Sequence, residues 1–281
     1  MKLSVCLSGG GVKGAAHIGA LKALEEENII IDNISGTSSG SIVATLYAAG
    51  YKPDEIKEIF MRYCKKIKYM DLKNVFNIIK TLITKHKFAI KGLNSGEIIE
   101  KLINELCNKK GITNIKEIKK NLIIASVSIK SGIVYIFKSK EDYYRYSDSI
   151  TVINDINIGR AVRASCSFPG IFCPCNFKND ILMDGGVREN IPWKELKKGN
   201  NEKILCITFN EKNKEEMNPN IIDVIYGAIN LMERELSIYE LAGAENVLKI
   251  HTKKVSLLDF NKIDYLYEEG YKQTKNYLNK K

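Results

Sequence analysis

The chain has 281 residues, 44% hydrophobic and 27% charged, with a net charge of +10. These are globular proportions and exclude a disordered, collagenous or coiled-coil chain; the length suffices for a full core without staples. The basic surplus favours anionic partners: nucleic acid, acidic lipid surfaces or phosphate-bearing substrates. A lysine-rich solvated surface would look the same. No run of about 18 apolar residues marks a membrane span. The first residues, Met1 to Ser8, form too short an apolar stretch for a signal-peptide core, so a cytoplasmic protein is expected. Seven widely scattered cysteines read as reduced buried thiols. Cys173 and Cys175 are too close for a zinc knuckle, and with only His17, His86 and His251 available no metal site is expected.

In chain order, Leu3, Val5 and Leu7 form a short strand broken by Gly9, Gly10 and Gly11. Ala15, Ile18, Leu21 and Leu24 recur at helical spacing. Ile29 to Ile34 reads as a second buried strand, Ser35 to Gly40 as a sharp turn, and Ile42 to Tyr47 as a helix closed by Gly50. Strand–helix–strand–helix at this pitch implies parallel strands under covering helices. Pro53 opens a further helix, and a lysine-rich segment runs from Arg62 to Lys91. Ser95 to Cys107 is helical. Leu122 to Ile129 and Ile133 to Phe137 read as paired strands about Gly132. A short helix covers Ile158 to Cys166, and the strand Ile181 to Met183 runs into Asp184-Gly185-Gly186. The strand Ile204 to Phe209, the long helix Ile221 to Leu241, the strand Val247 to His251 and the helix Ile263 to Leu278 complete the chain. Neither repeat nor linker divides it, so one domain over residues 1–281 is expected.

Three motifs carry chemistry. Ser8-Gly9-Gly10-Gly11-Val12-Lys13-Gly14 joins the first strand to the first helix. Its backbone amides and the helix dipole suit a phosphate or the oxyanion of a carbonyl under attack. Gly9, Gly11 and Gly14 also satisfy the dinucleotide fingerprint, with Asp32 near the place of a ribose-binding acid, so this loop alone leaves a nucleotide-binding oxidoreductase open. Gly36-Thr37-Ser38-Ser39-Gly40 breaks the tie. It is a G-x-S-x-G between strand and helix, the setting of a nucleophile elbow, with Gly36 and Gly40 permitting the tight turn. Asp184 ends an apolar strand ahead of Gly185 and Gly186; alone it reads as a turn former, and beside the other two motifs as a base for Ser38.

In this order and on these elements, G-G-G-x-K-G, G-T-S-S-G and D-G-G resemble the patatin-like phospholipase family. The segment Ala164 to Pro174 resembles the family stretch that precedes the aspartate strand, with Ser167 where alanine is frequent, and Leu258-Asp259-Phe260 and Gly270-Tyr271 resemble its C-terminal end. The resemblance implies a three-layer α/β/α fold with a central, mostly parallel sheet and hydrolysis of lipid acyl esters. It implies a dyad without histidine: Ser38 the nucleophile, Asp184 its base, and Gly10 and Gly11, with Gly9 beside them, the oxyanion hole. Lys13 matches the basic residue that holds the loop. No metal, organic cofactor or nucleic acid partner is implied.

A triad through His251 is the competing arrangement, since Ser38, Asp184 and His251 follow the α/β-hydrolase order. His251 lies beside Leu248 and Ile250 in an apparent core strand, which favours a packed ring, as does the apolar setting of His17. From Arg62 to Lys91 the chain is basic with an apolar stripe. A helix capping the core is one reading of that pattern. The charge surplus favours the other, attachment to an anionic membrane surface, and hence a peripheral membrane location.

Overall fold

The computed structural model describes residues 2–64, 92, 94–141, 147–197, 203–212, 221–253, 255 and 259–280. Most of the basic segment, 65–91, lies outside them. Arg62 is described, exposed and paired with Glu58 at 3.3 Å. Among the described residues no helix is long and apolar enough to cross a membrane.

One nine-stranded sheet organises the chain. Its strands are β1 (Lys2–Leu7), β2 (Ile30–Thr37), β3 (Asn121–Ser128), β4 (Val134–Lys138), β5 (Ile150–Ile153), β6 (Cys175–Phe177), β7 (Asp180–Asp184), β8 (Ile204–Lys212) and β9 (Asn246–Lys253). The order β5-β4-β3-β2-β1-β8-β9 is parallel except at β3–β4, with the β6–β7 hairpin attached to β3. The order reverses direction at β1. In such sheets a crevice opens outside the carboxyl ends of the strands at that point.

The helices are α1 (Gly14–Glu26), α2 (Ser39–Ala48), α3 (53–64), α4 (Glu97–Asn108), α5 (Ile158–Ser165), α6 (Ile221–Glu240) and α7 (Ile263–Leu278). Side chains from all of these but α6 pack on one sheet face with Val5, Leu7 and Ile34. The other face is thinner. Cys6, Ile123, Ala125 and Cys206 there meet Ile191, Trp193 and Leu196, with Leu241 just beyond α6 at the margin. All seven cysteines are free, and all but Cys173 are buried.

Helices α1 and α7 touch backbone to backbone. A side chain at Gly19 would collide with the carbonyl of Tyr267, and one at Gly270 with the carbonyl of Ala16. Two elements escape the periodicity reading. The four residues of β5 and the three of β6 are too short to show a period.

Candidate active site

Strand β3 brings two distant segments together. Along one edge its residues Asn121 to Ala125 pair with β2, ending at Thr37↔Ala125. From the next residue onward that role passes to β7, with Ser126↔Asp184 as the first pair. β7 therefore begins where β2 leaves the sheet at the elbow, and Ser38 and Asp184 meet at that junction. Both line one cavity of roughly 750 Å³, open mouth included, together with Gly9, Gly10, Gly11 and Gly186.

Ser38 occupies φ 53°, ψ −126°, a positive φ that costs a non-glycine residue of order 1–3 kcal/mol. Its surroundings hold it there. The amide donates to Ser165 Oγ at 2.9 Å, and the carbonyl accepts from Ser41 Oγ at 2.6 Å. The preceding Thr37 hydroxyl donates to the Glu189 carbonyl at 2.9 Å. A Cβ at Gly36 would strike the Gly40 carbonyl, and one at Gly40 would lie 2.5 Å from the Leu7 carbonyl. The spacing of G-x-S-x-G thus reflects backbone packed on backbone at both ends of the turn.

Asp184 is 1% exposed. Its Oδ1 accepts from the Gly186 amide at 2.8 Å. Oδ2 is buried without a hydrogen bond of normal geometry, though the Ser38 hydroxyl is near enough to favour its charged form. Burial dominates and pushes the carboxyl up to about 7, against the pull of Ser38 and the Gly186 amide. Its own amide donates to the Ser167 carbonyl at 3.0 Å. The Ser167 hydroxyl bonds back to the Arg163 carbonyl at 2.9 Å, so serine in place of alanine there leaves no unmet donor.

In the glycine loop, Gly11 has φ 59°. The Gly10 and Gly11 amides have no acceptor among the described residues. Gly9 departs from the expected role. Its amide donates to Asn190 Oδ1 at 2.8 Å and is not free for a substrate oxyanion; Gly9 anchors the loop instead. Lys13 Nζ lies 5.8 Å from the centre of the Phe209 ring, and its charge acts on Glu233. His17 is fully buried, hydrogen-bonded through Nε2 to the Ser8 carbonyl at 2.8 Å, with its ring centre 4.5 Å from that of Phe209 at a tilt of 38°. Burial lowers its pKa to about 4, so the ring is neutral and Nε2 is the donor. Gly185 and Gly186 form the turn after Asp184.

The packed ring expected of His251 is not found. Leu248 and Ile250 point into the core, and His251, one residue on, falls on the opposite face and is exposed. It is outside the cavity, and its backbone pairs with Gln273.

Three residues that sequence motifs do not mark complete the site. Asn190 holds Gly9 and donates to Ser237 Oγ at 3.2 Å. Glu240 accepts from the Asn190 and Ile191 amides at 2.7 and 3.1 Å, and burial pushes its carboxyl up to about 7. Glu233 lines the cavity, where burial first, and then the neighbouring Asp184 charge, push it up to about 8. The remaining wall is largely apolar, with Ile42, Phe60, Ile99, Phe168 and Phe172.

Residues 5–197 match the patatin-like phospholipase family. Similar sequences include the uncharacterised R571 of Acanthamoeba polyphaga mimivirus, 32% identical over 98% of this chain and 93% of its own, and the uncharacterised YqhO of Bacillus subtilis, 30% identical over 82% and 79%. Lysophospholipase NTE1 of Debaryomyces hansenii is 26% identical across 98% of this chain, which spans 18% of that longer protein. Among solved structures, VipD of Legionella pneumophila superposes with a TM-score of 0.57 at 18% identity, covering 99% of this chain and 67% of its own. ExoU of Pseudomonas aeruginosa, in complex with SpcU, gives 0.55 at 21% identity over 99% and 51%. The family match, laid over a serine elbow and a buried aspartate on one cavity, makes this chain a member of the patatin-like phospholipase family.

Proposed function

We propose that the chain, acting as a single domain, is a lipid acyl hydrolase of the phospholipase A or lysophospholipase type, with Ser38 as nucleophile and Asp184 as its base. The observation that carries this reading is the junction on β3, where a strained serine and a buried carboxyl share an apolar-walled cavity. Sequence similarity to a protein named as a lysophospholipase supports the substrate class.

On this reading the steps are as follows. Ionised Asp184 takes the Ser38 Oγ proton as Oγ attacks the ester carbonyl carbon. The charge that develops on the carbonyl oxygen is met by the Gly10 and Gly11 amides. Collapse of the tetrahedral adduct breaks the ester C–O bond, and the alcohol leaves with the proton from Asp184. Water, deprotonated by Asp184, then attacks the acyl-serine; collapse of this second adduct breaks the acyl C–Oγ bond, releases the fatty acid, and Asp184 returns the proton to Ser38 Oγ. An aspartate is a weak base for a serine hydroxyl in water. Burial raises its pKa toward the working range, where general-base catalysis is most effective. The apolar wall gives the acyl chain a place to lie and keeps water from competing with the amides.

A fluorophosphonate probe tests the assignment. Wild type labels on Ser38, and Ser38→Ala neither labels nor hydrolyses a short-chain nitrophenyl ester above roughly 10⁻⁴ of the wild-type rate. Turnover near wild type in Ser38→Ala would sink it.

A further inference from the structure

Helix α6 wears its polarity inside out. Toward the body of the protein it turns Asn230, Glu233, Ser237 and Glu240, spaced three or four residues apart. Asn230 and Glu233 line the cavity, and Ser237 and Glu240 hold Asn190. Away from the body it turns Val224, Leu231, Met232, Leu236, Ile238 and Tyr239, each between 37% and 73% exposed. Of the eight large apolar side chains that stand strongly exposed among the described residues, these are six. A surface helix ordinarily shows the opposite arrangement. A contiguous exposed apolar face marks a surface built to meet a partner.

Two cations border this face. Arg234 on α6 and Lys249 on β9 line a cavity of about 550 Å³, open mouth included, with Thr208, Asn210 and Ser237. Both are exposed, and neither has an ion-pair partner among the described residues. The outward side chains described on α6 include a single carboxylate, Glu235. From the described outward side chains of α6 a second copy seated here would have one carboxylate to offer two cations, and burying an unmatched cation is costly. An anionic lipid surface supplies acyl carbon for the apolar side chains and phosphate oxygens for the cations, with Glu235, four residues from both Leu231 and Tyr239, as the one described outward carboxylate it repels. The net charge of +10 has the sign to draw the chain there.

We propose that α6 seats the protein on an anionic phospholipid surface, its outward side chains entering the interfacial zone while Arg234 and Lys249 meet lipid phosphates. The choice of a membrane as occupant rests on the lipid-ester reading above. The inner face of the same helix walls the catalytic cavity, so a lipid leaving the surface along α6 has a short path to Ser38.

Flotation of the full chain with phosphatidylcholine vesicles, with and without phosphatidylglycerol, tests this. Binding is measured in the Ser38→Ala background so that hydrolysis does not alter the vesicles. Anionic vesicles should bind the chain, with binding weakened by salt. Leu231→Gln with Met232→Gln should abolish it, and Arg234→Gln with Lys249→Gln should weaken it about 30-fold and remove the preference for phosphatidylglycerol. In the Ser38 background both pairs should keep wild-type turnover of a soluble ester, which also shows that they fold, since Leu231, Met232, Arg234 and Lys249 do not line the catalytic cavity. Unchanged vesicle binding in either pair would overturn the proposal. So would a dimer in sedimentation velocity that the Leu231 and Met232 changes dissociate, with no vesicle binding by wild type. A wild type that floats with anionic vesicles but hydrolyses no ester would leave the docking surface standing and defeat the catalytic reading.

Discussion

The amide of Gly9 donates to Oδ1 of Asn190, 2.8 Å away and 181 residues along the chain. This bond ties the loop that presents the Gly10 and Gly11 amides to the segment after Asp184. Glu240 clamps the same segment from α6 through the Asn190 and Ile191 amides. The loop is thus positioned by side chains outside every catalytic motif.

Replacing Asn190 with alanine should release the loop without touching a reacting atom. We expect kcat on a soluble ester to fall about 10- to 100-fold while KM changes little, the signature of misplaced transition-state donors. Steady-state kinetics on folded protein measure this. A change confined to KM would show that Asn190 serves substrate binding and not the loop.

Activity and stability should respond to pH in opposite directions. As the proposed base Asp184 must be ionised, and its carboxyl is raised to about 7, so kcat/KM should fall as the pH drops through that value. For stability, Asp184 and Glu240 near 7 and Glu233 near 8 all lie above the ordinary carboxyl values of 3.8 and 4.5. From about pH 4 to pH 8 these three groups therefore hold more protons in the folded chain than in the unfolded one, and buried neutral His17, lowered from 6.5 to about 4, offsets them in part over the lower half of that window. The carboxyls' contribution to stability is fully present below that window and is lost as pH rises through it, by an amount on the order of a few kcal/mol per group. Urea denaturation at pH 5 and pH 8 checks this, and Asp184→Asn should flatten the slope while abolishing turnover. Greater stability at pH 8 than at pH 5 would contradict the burial argument.

Strain at Ser38, the proposed nucleophile, predicts a gain on its removal. Glycine adopts the φ of 53° without penalty, so Ser38→Gly should raise stability by about 1 kcal/mol, less any lost side-chain contact, while eliminating ester hydrolysis. Thermal denaturation beside wild type and Ser38→Ala separates the backbone contribution from loss of the hydroxyl.

At Gly40 the opposite holds. A methyl group there would press on the Leu7 and Ser8 carbonyls at 2.5 and 2.6 Å, and neither carbonyl can retreat without opening β1. Gly40→Ala should cost about 2–4 kcal/mol and displace the elbow. An equilibrium denaturation midpoint unchanged by this substitution would mean that the elbow is looser than described.

His251→Ala offers a control on the triad alternative. The side chain is exposed and remote from the cavity, so kcat and the melting temperature should both stay close to wild type. Loss of turnover would require a third catalytic member.

Ser38, Gly36 and Gly40 are legible in the sequence because tight backbone packing fixes both residue type and spacing. The alternation of strand and helix around them is legible for the same reason: Leu3 to Leu7 and Ala15 to Leu24 obey clear periods. Asn190, Glu233 and Glu240 are not legible. The roles of Glu233 and Glu240 depend on where α6 lands on the site, and a polar residue on a helix carries no mark of the face it will turn inward; Asn190 lies in a loop whose partner, Gly9, is 181 residues away. Periodicity gives α6 as a helix but cannot tell that its apolar face looks outward. His251 shows how parity decides burial on a strand. Residues 248 and 250 share a face and 251 does not, so neighbours in sequence are poor witnesses of environment. The basic residues from Lys65 to Lys91 fall outside the described residues, and the case for lipid attachment here comes from α6.

The close packing of Gly19 on Tyr267 and of Gly270 on Ala16 has a bearing on the order in which the protein is made. Helix α1 begins at the end of the glycine loop, yet the helix that packs against its backbone is encoded some 250 residues later. During synthesis the ribosome releases the elbow and its loop long before α7 exists to brace them. Helix α1, which carries the glycine loop at its start, therefore lacks its closest packing surface until the last helix has been made.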